Sequence, residues 1–588
     1  MAPRQIIECD FAVIGAGMAG IAAAIAAARR GLKVCLVHDR PVLGGNASEE
    51  VRMWIRGASD HFPLYREGGI LEELALDNAR YNPDMTYPLW SMVLYNKVTA
   101  EPNITLLLNT VCLDAECREG RIVQISTFCL TSYERLYVRA AYFADCSGDS
   151  ILAEATGADF TRGREETAQY DESLGKAVRD GCTMGNSLLL QAVETDAPVT
   201  FIPPPFAKKF SEKDFRYRLN TDARMGFISN NYWWIELGGE RDTLRDARDI
   251  HAELLATVYG VWDFVKNSGK FDAENWDLHF VGALPAKRET RRYLGDYVLS
   301  QRDIDEGTHF DDEVAYGGWT MDDHSPFGFR GREKPNIFHP IPAPYAIPWR
   351  CLYSRNVSNL AFAGRNISVT HLALSSTRVM ATCAMLGQAV GTVVSFALPR
   401  GLTLREAGAY AVQWKQMLRD DDCYLLRTPR RTFLAPEHIR TNASREQLHI
   451  LFNGVERALK ESDSPAVFPL HSPLEFTFES VYARKIRILF DSDIASSERR
   501  DRELKMYPMR CHVPKNRERV HVPSALIQKY TLSVLTERGW EIAEQAQDNF
   551  SRLRYVDIGR MIRGIRLVGE GCRETGNTLR LFSLDIIP

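Results

Sequence analysis

The sequence predicts an α/β fold in which a Rossmann-like domain with an inserted segment precedes an antiparallel β-sandwich. Three observations lead to this prediction. An apolar run near the N-terminus enters a glycine-rich turn and then an alanine-rich stretch, and an amphipathic stretch marks a middle segment of different texture. From about residue 430, short runs of alternating apolar and polar residues follow one another. Such runs are typical of antiparallel strands.

The N-terminal motif predicts a strand, a tight turn, a helix and a second strand over residues 6–39. Gly15, Gly17 and Gly20 form the pattern GxGxxG between the first strand and the helix. Gly15 permits the tight turn, Gly17 lets the backbone approach a pyrophosphate, and Gly20 lets helix and strand pack closely. The first N–H groups of the helix and its dipole then face the phosphate. We expect a dinucleotide cofactor at this turn.

The end of the second predicted strand reads His38-Asp39. An acidic residue at this place normally binds a ribose hydroxyl of the cofactor. The usual acidic position holds His38, while Asp39 lies nineteen residues after Gly20, near the expected place. We therefore predict both residues at the ribose.

A second glycine pair follows in the stretch LGGN, residues 43–46. A nicotinamide-binding domain does not need it, whereas flavoproteins of the glutathione-reductase type use such a turn to run the backbone beside FAD. Segments 66–74, 142–163, 285–303 and 359–392 follow in the same order as in those proteins. Up to about residue 400, the chain thus resembles the FAD-dependent oxidoreductase family. The resemblance implies non-covalently bound FAD and an oxidoreductase activity.

The resemblance also implies which residues contact the FAD. Gly44 and Gly45 would form a turn beside the flavin side of the cofactor. A helix over residues 379–398 would point its N-terminal end toward the flavin pyrimidine. The other implied contacts are Asn46, Arg52, Gly148, Asp149, Gly364, Arg365 and Asn366. The alternatives are a surface turn opening a polar helix at NASEE, residues 46–50, and simple helix packing for the small residues of 379–398.

Catalytic candidates come from the middle of the chain and from the last of these segments, residues 359–392, which we call the closing segment. A flavin oxidises a substrate by taking hydride at N5, so the protein must supply a base for the matching proton. His371 is the first candidate and His324 the second, because the pKa of imidazole is near neutral. Arg288 could hold a carboxylate or phosphate bidentately. The structural alternatives are histidines that tie loops to the core and arginines paired with Glu289 and Asp296.

Composition limits the partners. The net charge is −4 with no long basic run, so no nucleic acid is expected. The apolar stretches are interrupted well short of a membrane span. The twelve cysteines contain no CxxC and no clustered quartet, which argues against a metal or an iron–sulfur cluster and favours a reduced compartment. We expect a cytoplasmic protein without a secretory signal that acts on a small molecule. The electron acceptor and the oligomeric state, including a homo-oligomer, stay open.

Three domains are predicted. The FAD-binding domain is discontinuous, over residues 1–165 and 345–425, and the inserted segment 166–344 is expected to form the substrate domain. Inside it, residues 231–243 predict an aromatic strand and residues 244–267 an amphipathic helix. The β-sandwich over 430–588 is similar in texture to discoidin-like, galactose-binding modules. Such a module binds sugars or serves as a packing surface.

Three functions are compatible with these features. The first is an FAD-dependent dehydrogenase or oxidase of a hydroxylated small molecule such as a carbohydrate. The second is a reductase of an activated C=C bond, as in the fumarate-reductase branch. The third is a non-catalytic flavin protein whose sandwich recognises glycans.

Overall fold

The structure is a computed structural model that describes residues 5–218, 232–502, 505–509, 512–573 and 576–588. The chain folds into two compact units, and each is built from separate stretches of sequence. The first unit comprises Met1–Phe62, Asp84–Trp414 and Tyr507–Arg519. The second unit comprises Pro63–Pro83, Lys415–Met506 and Val520–Pro588.

A seven-stranded, mainly parallel sheet organises the first unit. Its central strand, Gln5–Ile14, lies between Val34–Val37 and Arg135–Asp145, and both neighbours run parallel to it. The apolar run FAVI at residues 11–14 is fully buried, as expected of a strand with parallel neighbours on both sides. The other strands are Ile104–Leu107 and Leu360–Phe362, which are parallel, and Thr110–Arg118 and Arg121–Cys129, which are antiparallel. The Rossmann-like prediction is confirmed.

Two buried helices pack against each other beside this sheet. Met18–Arg29 follows the glycine turn, and Met380–Ala397 begins inside the closing segment, residues 359–392. A Cβ on Gly387 would lie 1.9 Å from Ala19 O, so the second helix touches the backbone of the first. The small residue Gly387 therefore serves helix packing, which was the alternative noted for the small residues of 379–398. The span Met380–Arg400 has the length and apolar composition of a membrane helix, with 94% of its apolar window buried inside the protein.

The remaining elements of the first unit are shorter. The two-stranded pairs are Phe160–Thr161 with Arg292–Tyr293, Glu313–Gly317 with Tyr345–Pro348, and Met321–His324 with Asn336–His339. One three-stranded sheet consists of Glu236–Leu237, Asn186–Ser187 and Ala286–Lys287. Another consists of Trp276–Val281, Leu190–Glu194 and His512–Val513. The further helices are Tyr87–Thr99, Leu152–Thr156, Thr167–Tyr170, Glu212–Phe215, Ala247–Asn267, Gln301–Glu306, His371–Thr377 and Leu404–Ala407. Helix Ala411–Asp420 contains the point where the chain passes into the second unit.

The second unit contains a seven-stranded antiparallel sheet. Its strands are Arg440–Thr441, Ala466–Pro469, Leu474–Phe490, Ile527–Thr536, Gly539–Ala546, Leu553–Cys572 and Thr578–Ile587. The helices of this unit are Ile70–Tyr81, Arg445–Phe452 and Ser497–Asp501. The predicted antiparallel texture is confirmed, whereas the likeness to discoidin modules stays a prediction.

Three local predictions are corrected or limited by the structure. Of the aromatic strand 231–243, only Glu236–Leu237 is a strand, and Asn231 lies outside the described residues, as does Cys511. Residues 46–50 form no polar α-helix, because only a short 3-10 turn, Gly45–Ala47, follows the second glycine pair. The short alternating runs predicted from about residue 430 include one long, bulged strand, Leu474–Phe490. The amphipathic helix is confirmed as Ala247–Asn267.

Candidate functional site

One large cavity in the first unit brings most of the predicted residues together. Its volume is about 480 Å³. The residues that line it come from several separate stretches of the chain between Ile14 and Cys383. The predicted site residues in its lining are Gly15, Gly17, His38, Asp39, Gly44, Gly45, Asn46, Gly148, Asp149, Arg288, His324, Gly364 and Arg365. Gly20, Arg52, Asn366 and His371 do not belong to that lining.

The two glycine motifs face each other across bare backbone. Gly44 N–H donates to Ala16 O at 2.9 Å. A Cβ on Gly45, whose φ is +58°, would lie 3.0 Å from Gly17 Cα. Side chains at either position would therefore fill the space where the turns meet. The second glycine pair thus extends the exposed backbone of the first turn along the cavity wall, as a long dinucleotide requires.

Gly20 has the packing role that its place in the motif predicts. A Cβ there would lie 1.8 Å from Gly15 O and 3.2 Å from Cys146 Cβ. Gly15 itself has φ +98°, a left-handed conformation that favours glycine. Gly20 therefore shapes the turn from behind rather than from inside the cavity.

His38 is occupied by the backbone around it. Its Nδ1 accepts a hydrogen bond from Ala16 N–H at 3.1 Å, and its Nε2 lies 3.1 Å from Val42 O, where it donates. Burial lowers the pKa of His38, which keeps the ring neutral. The histidine therefore ties the glycine turn to the end of the second strand. The side chain of Asp39 is 48% exposed and lies 3.4 Å from Arg40 Nε.

A group of charges lines the cavity beside the first glycine turn. Asp149 accepts from Lys287 Nζ and from Arg365 Nη2, each at 2.6 Å. Burial alone would raise the pKa of Asp149, but the two cations outweigh it and lower the pKa. The cluster carries one net positive charge. The pyrophosphate of FAD is an anion that such a cluster suits.

The residues present fit FAD. Arg365 Nε is buried and has no hydrogen-bond partner among the described residues, so it is available to a bound group. Gly364, with φ +123°, keeps the backbone bare at the end of strand Leu360–Phe362. Val379 and Met380, at the start of helix Met380–Ala397, also line the cavity, so the positive end of its dipole is near it. A Cβ on Gly148 would lie 2.6 Å from Arg365 Nη1, so that glycine makes room for the guanidinium.

Arg52 and Asn366 lie behind the lining. The Arg52 guanidinium carbon sits 3.7 Å from the centre of the Phe280 ring, and its Nη1 donates to Gln191 Oε1. Asn366 Nδ2 donates to Asp145 O at 3.3 Å. Both side chains connect parts of the first unit, and their predicted cofactor contacts stay predictions.

Residues of the inserted segment, together with Trp54, Arg56 and Arg378, form another part of the cavity wall. Its aromatic members are Trp54, Trp233, Trp319 and Phe338, and its charged members are Arg56, Arg288, Asp322, His324 and Arg378. Trp319 Nε1 and Arg378 Nε have no hydrogen-bond partner among the described residues. This wall therefore combines flat apolar rings with unused hydrogen-bond donors, and we call it the polar–aromatic wall.

His324 lies between two carboxylates in this wall. Its Nδ1 is 2.7 Å from Glu236 Oε2, and its Nε2 is 3.2 Å from Asp322 Oδ2. Burial alone would raise the pKa of both acids. Arg288 and His324 lower the pKa of Glu236, and His324 and Arg378 lower the pKa of Asp322. Both carboxylates are therefore ionised, and a neutral His324 ring can donate a hydrogen bond to only one of them.

Arg288 is part of the same network. Its Nη1 donates to Ser187 Oγ at 2.8 Å and lies 3.3 Å from Glu236 Oε2, and its Nη2 donates to Trp233 O. These partners favour a structural role for Arg288 in this wall. The structural alternative from sequence was likewise an arginine paired with an acid. The structure replaces the suggested acids Glu289 and Asp296 by Glu236 for this arginine.

His371 belongs to a different, fully buried network. Its Nδ1 is 2.8 Å from Glu289 Oε2 and its Nε2 is 3.1 Å from Asp323 Oδ1. Burial alone would lower its pKa, but the two carboxylates raise it to about 10. Arg292 pairs with Glu289 in the same cluster, as the structural alternative predicted. His371 does not line the cavity whereas His324 does, so this placement favours His324 over the first candidate.

Several residues of the cavity were not singled out from sequence. They are Lys287, Trp233, Trp319 and Arg378 in the lining, and Glu236 next to it. Lys287 stands next to Arg288 in the motif PAKRETRR, so the basic run was the available signal. Glu236 carries no motif, because its partner His324 is 88 residues away in sequence. Among the described residues, no cluster of three or more His, Cys, Asp or Glu side chains could hold a metal ion.

Comparisons with known proteins identify the family of the chain. The sequence profile of the family described as FAD dependent oxidoreductase matches residues 10–415. No curated protein matches the sequence. Among solved structures, a geranylgeranyl bacteriochlorophyll reductase-like protein from Thermoplasma acidophilum is 12% identical, with 71% of this chain and 84% of that chain covered and a TM-score of 0.32. The E. coli quinol fumarate reductase FrdA is 16% identical, with 71% and 75% covered and a TM-score of 0.27.

Proposed function

Because the chain belongs to the FAD-dependent oxidoreductase family, we propose that it transfers hydride from a hydroxylated small molecule to the flavin. The polar–aromatic wall carries this proposal. Trp233, Trp319 and Phe338 offer flat faces, while Arg378 and Asp322 offer charged hydrogen-bonding groups beside them. Rings together with dense polar groups suit a polyol or a sugar, whose faces are apolar and whose edges are hydroxyls.

Bound FAD would supply the hydride acceptor, flavin N5. Lys287 and Arg365 would hold its pyrophosphate, and the facing turns at Gly17 and Gly45 would lie along its length. The start of helix Met380–Ala397 would favour negative charge on the reduced pyrimidine. These residues bind and orient the cofactor, and none of them needs to change its protonation state during the reaction.

The substrate hydroxyl must lose a proton as its carbon loses hydride. His324 is the proposed acceptor of that proton, because it lines the cavity; the substrate hydroxyl would replace Asp322 as the hydrogen-bond partner of Nε2, while Nδ1 donates to Glu236. The two carboxylates would stabilise the imidazolium that forms and would fix the plane of the ring. Arg378 donates to Asp322 at 3.1 Å and keeps that carboxylate in place.

Reduction of an activated C=C bond is the second candidate. The Arg56, Arg288 and Arg378 side chains that line the cavity favour it, since such a reaction needs cations for the carboxylates of an unsaturated acid and a proton donor. In this direction His324 would give a proton instead of taking one. A non-catalytic flavin protein, the third function weighed from sequence, has no observation in the cavity that favours it.

Anaerobic absorption spectroscopy of the purified holoenzyme tests the proposal. We expect at least one of a panel of polyols, sugars and hydroxy acids to bleach the flavin. The variant His324→Gln should bleach much more slowly with the same compound, while His371→Gln should retain most of the rate if it folds. If no member of the panel bleaches the flavin, but an unsaturated acid rapidly reoxidises dithionite-reduced enzyme, the second candidate replaces the first.

A further inference from the structure

The ribose end of the cavity lacks the acid that usually binds there. His38 holds that position, and both of its ring nitrogens are used by the backbone at 3.1 Å. Its side chain is only 5% exposed. The imidazole therefore has no donor or acceptor left for a ribose hydroxyl. If FAD binds in the cavity, another group must take the two hydroxyls of its adenosine.

Two carboxylates line this end, and they differ in their surroundings. Asp39 is half exposed and lies 3.4 Å from Arg40 Nε. Glu50 is half-buried, and its carboxylate has no hydrogen bond or ion pair among the described residues. Burial raises the pKa of Glu50, while Arg40 lowers it and Asp39 raises it, so the carboxylate lies in the field of the strand end.

The backbone around Glu50 is held in place. Its carbonyl accepts a hydrogen bond from Ala283 N–H at 2.9 Å, and the neighbouring Val51 and Arg52 both donate to Ser48 O. A partly desolvated carboxylate without a partner costs stability unless a ligand supplies donors. A vicinal diol supplies two O–H donors at the spacing of one carboxylate, as in other dinucleotide sites.

We propose that Glu50 binds the adenosine ribose hydroxyls of FAD, in place of the usual acid at the end of the second strand. This assignment concerns cofactor binding alone and does not depend on which substrate is oxidised. Glu50 comes only five residues after Gly45, and both line the same cavity. The same carboxylate would repel a 2′-phosphate.

Equilibrium binding of FAD to the apoprotein, followed by flavin fluorescence, tests the proposal without a substrate. Glu50→Ala is expected to raise the Kd for FAD about tenfold or more, since hydrogen bonds to a charged group are among the strong ones. Glu50→Gln, which keeps the shape and one acceptor, should lie between. Glu49→Gln is the matched control, because Glu49 adjoins Glu50 but does not line the cavity.

FAD carrying 2′-deoxyadenosine separates a ribose contact from a general loss of binding. For this analogue, the ratio of the Kd of Glu50→Ala to that of the wild type is expected to be clearly smaller than for FAD. The proposal is overturned if Glu50→Ala binds FAD as the wild type does. It is also overturned if both cofactors weaken by the same ratio, or if Asp39→Asn alone produces the loss.

Discussion

Substituting Gly387 tests whether the contact between the two buried helices shapes the cofactor site. A Cβ at this position would lie 1.9 Å from Ala19 O and 2.7 Å from Ala19 C. These are backbone atoms, so no side chain can rotate away. Ala19 lies between Gly17 and Gly20 in the first glycine motif. The variant Gly387→Ala must therefore push the first helix, and with it the glycine turn, away from its place.

Two effects of opposite sign decide the stability of this variant. Alanine in a helix interior is favoured over glycine by about 1 kcal/mol. Extra atoms forced into a packed core cost about 1–3 kcal/mol and occasionally more. Because the clash is with backbone, we expect the upper end of that range and a net loss of about 2 kcal/mol. The displaced turn should also raise the Kd for FAD.

Thermal unfolding of the apoprotein and fluorescence titration with FAD measure both effects. Gly408→Ala is the control, because the nearest atom to a Cβ there is Trp349 Cδ1 at 3.7 Å, an ordinary contact. We expect this control to melt at or slightly above the wild-type temperature. A Gly387→Ala protein that melts as high as the wild type and binds FAD equally well would refute the reasoning.

Two further predictions concern charges. The pKa of His371 is raised from 6.5 to about 10, so its pairing stabilises the fold fully below pH 6.5, and that stability is lost as the pH rises toward 10. The gap in melting temperature between wild type and His371→Gln should therefore narrow from pH 6 to pH 10, and a constant gap would contradict the assignment. Lys287→Met removes a cation paired with Asp149 in the cavity, so the Kd for FAD should rise several-fold. Lys270→Met, which removes a cation paired with Glu212 away from the cavity lining, should leave that Kd unchanged.

The local parts of the fold were predictable from sequence, because short-range patterns determine them. The GxGxxG turn needs only strand, turn and helix in succession, and the helix Ala247–Asn267 shows in its apolar spacing. The second glycine pair could also be identified from its place after the second strand, and a Cβ on Gly45 would make a tight contact of 3.0 Å with Gly17 Cα. For the second unit, the alternating runs predicted antiparallel strands, but they did not predict which distant strands pair with each other.

The sequence puts His371 before His324 as the candidate base, but no short-range pattern around either residue can decide that order. Both are buried between two carboxylates, and what separates them is that only His324 lines the cavity. The partners of His371 lie 82 and 48 residues away, and Glu236 lies 88 residues from His324. Charge networks of this kind are a property of the folded chain alone.

The division of the chain into units has a consequence for how the protein is made. Tyr507–Arg519 belongs to the first unit, and its strand His512–Val513 pairs with Leu190–Glu194 there. Pro63–Pro83, near the other end, belongs to the second unit. During synthesis, the first unit cannot add its last strand until more than five hundred residues have left the ribosome. A truncation after the closing segment therefore removes strand His512–Val513 from the unit that holds the cavity. Residues 430–588 expressed alone would lack helix Ile70–Tyr81 of their own unit.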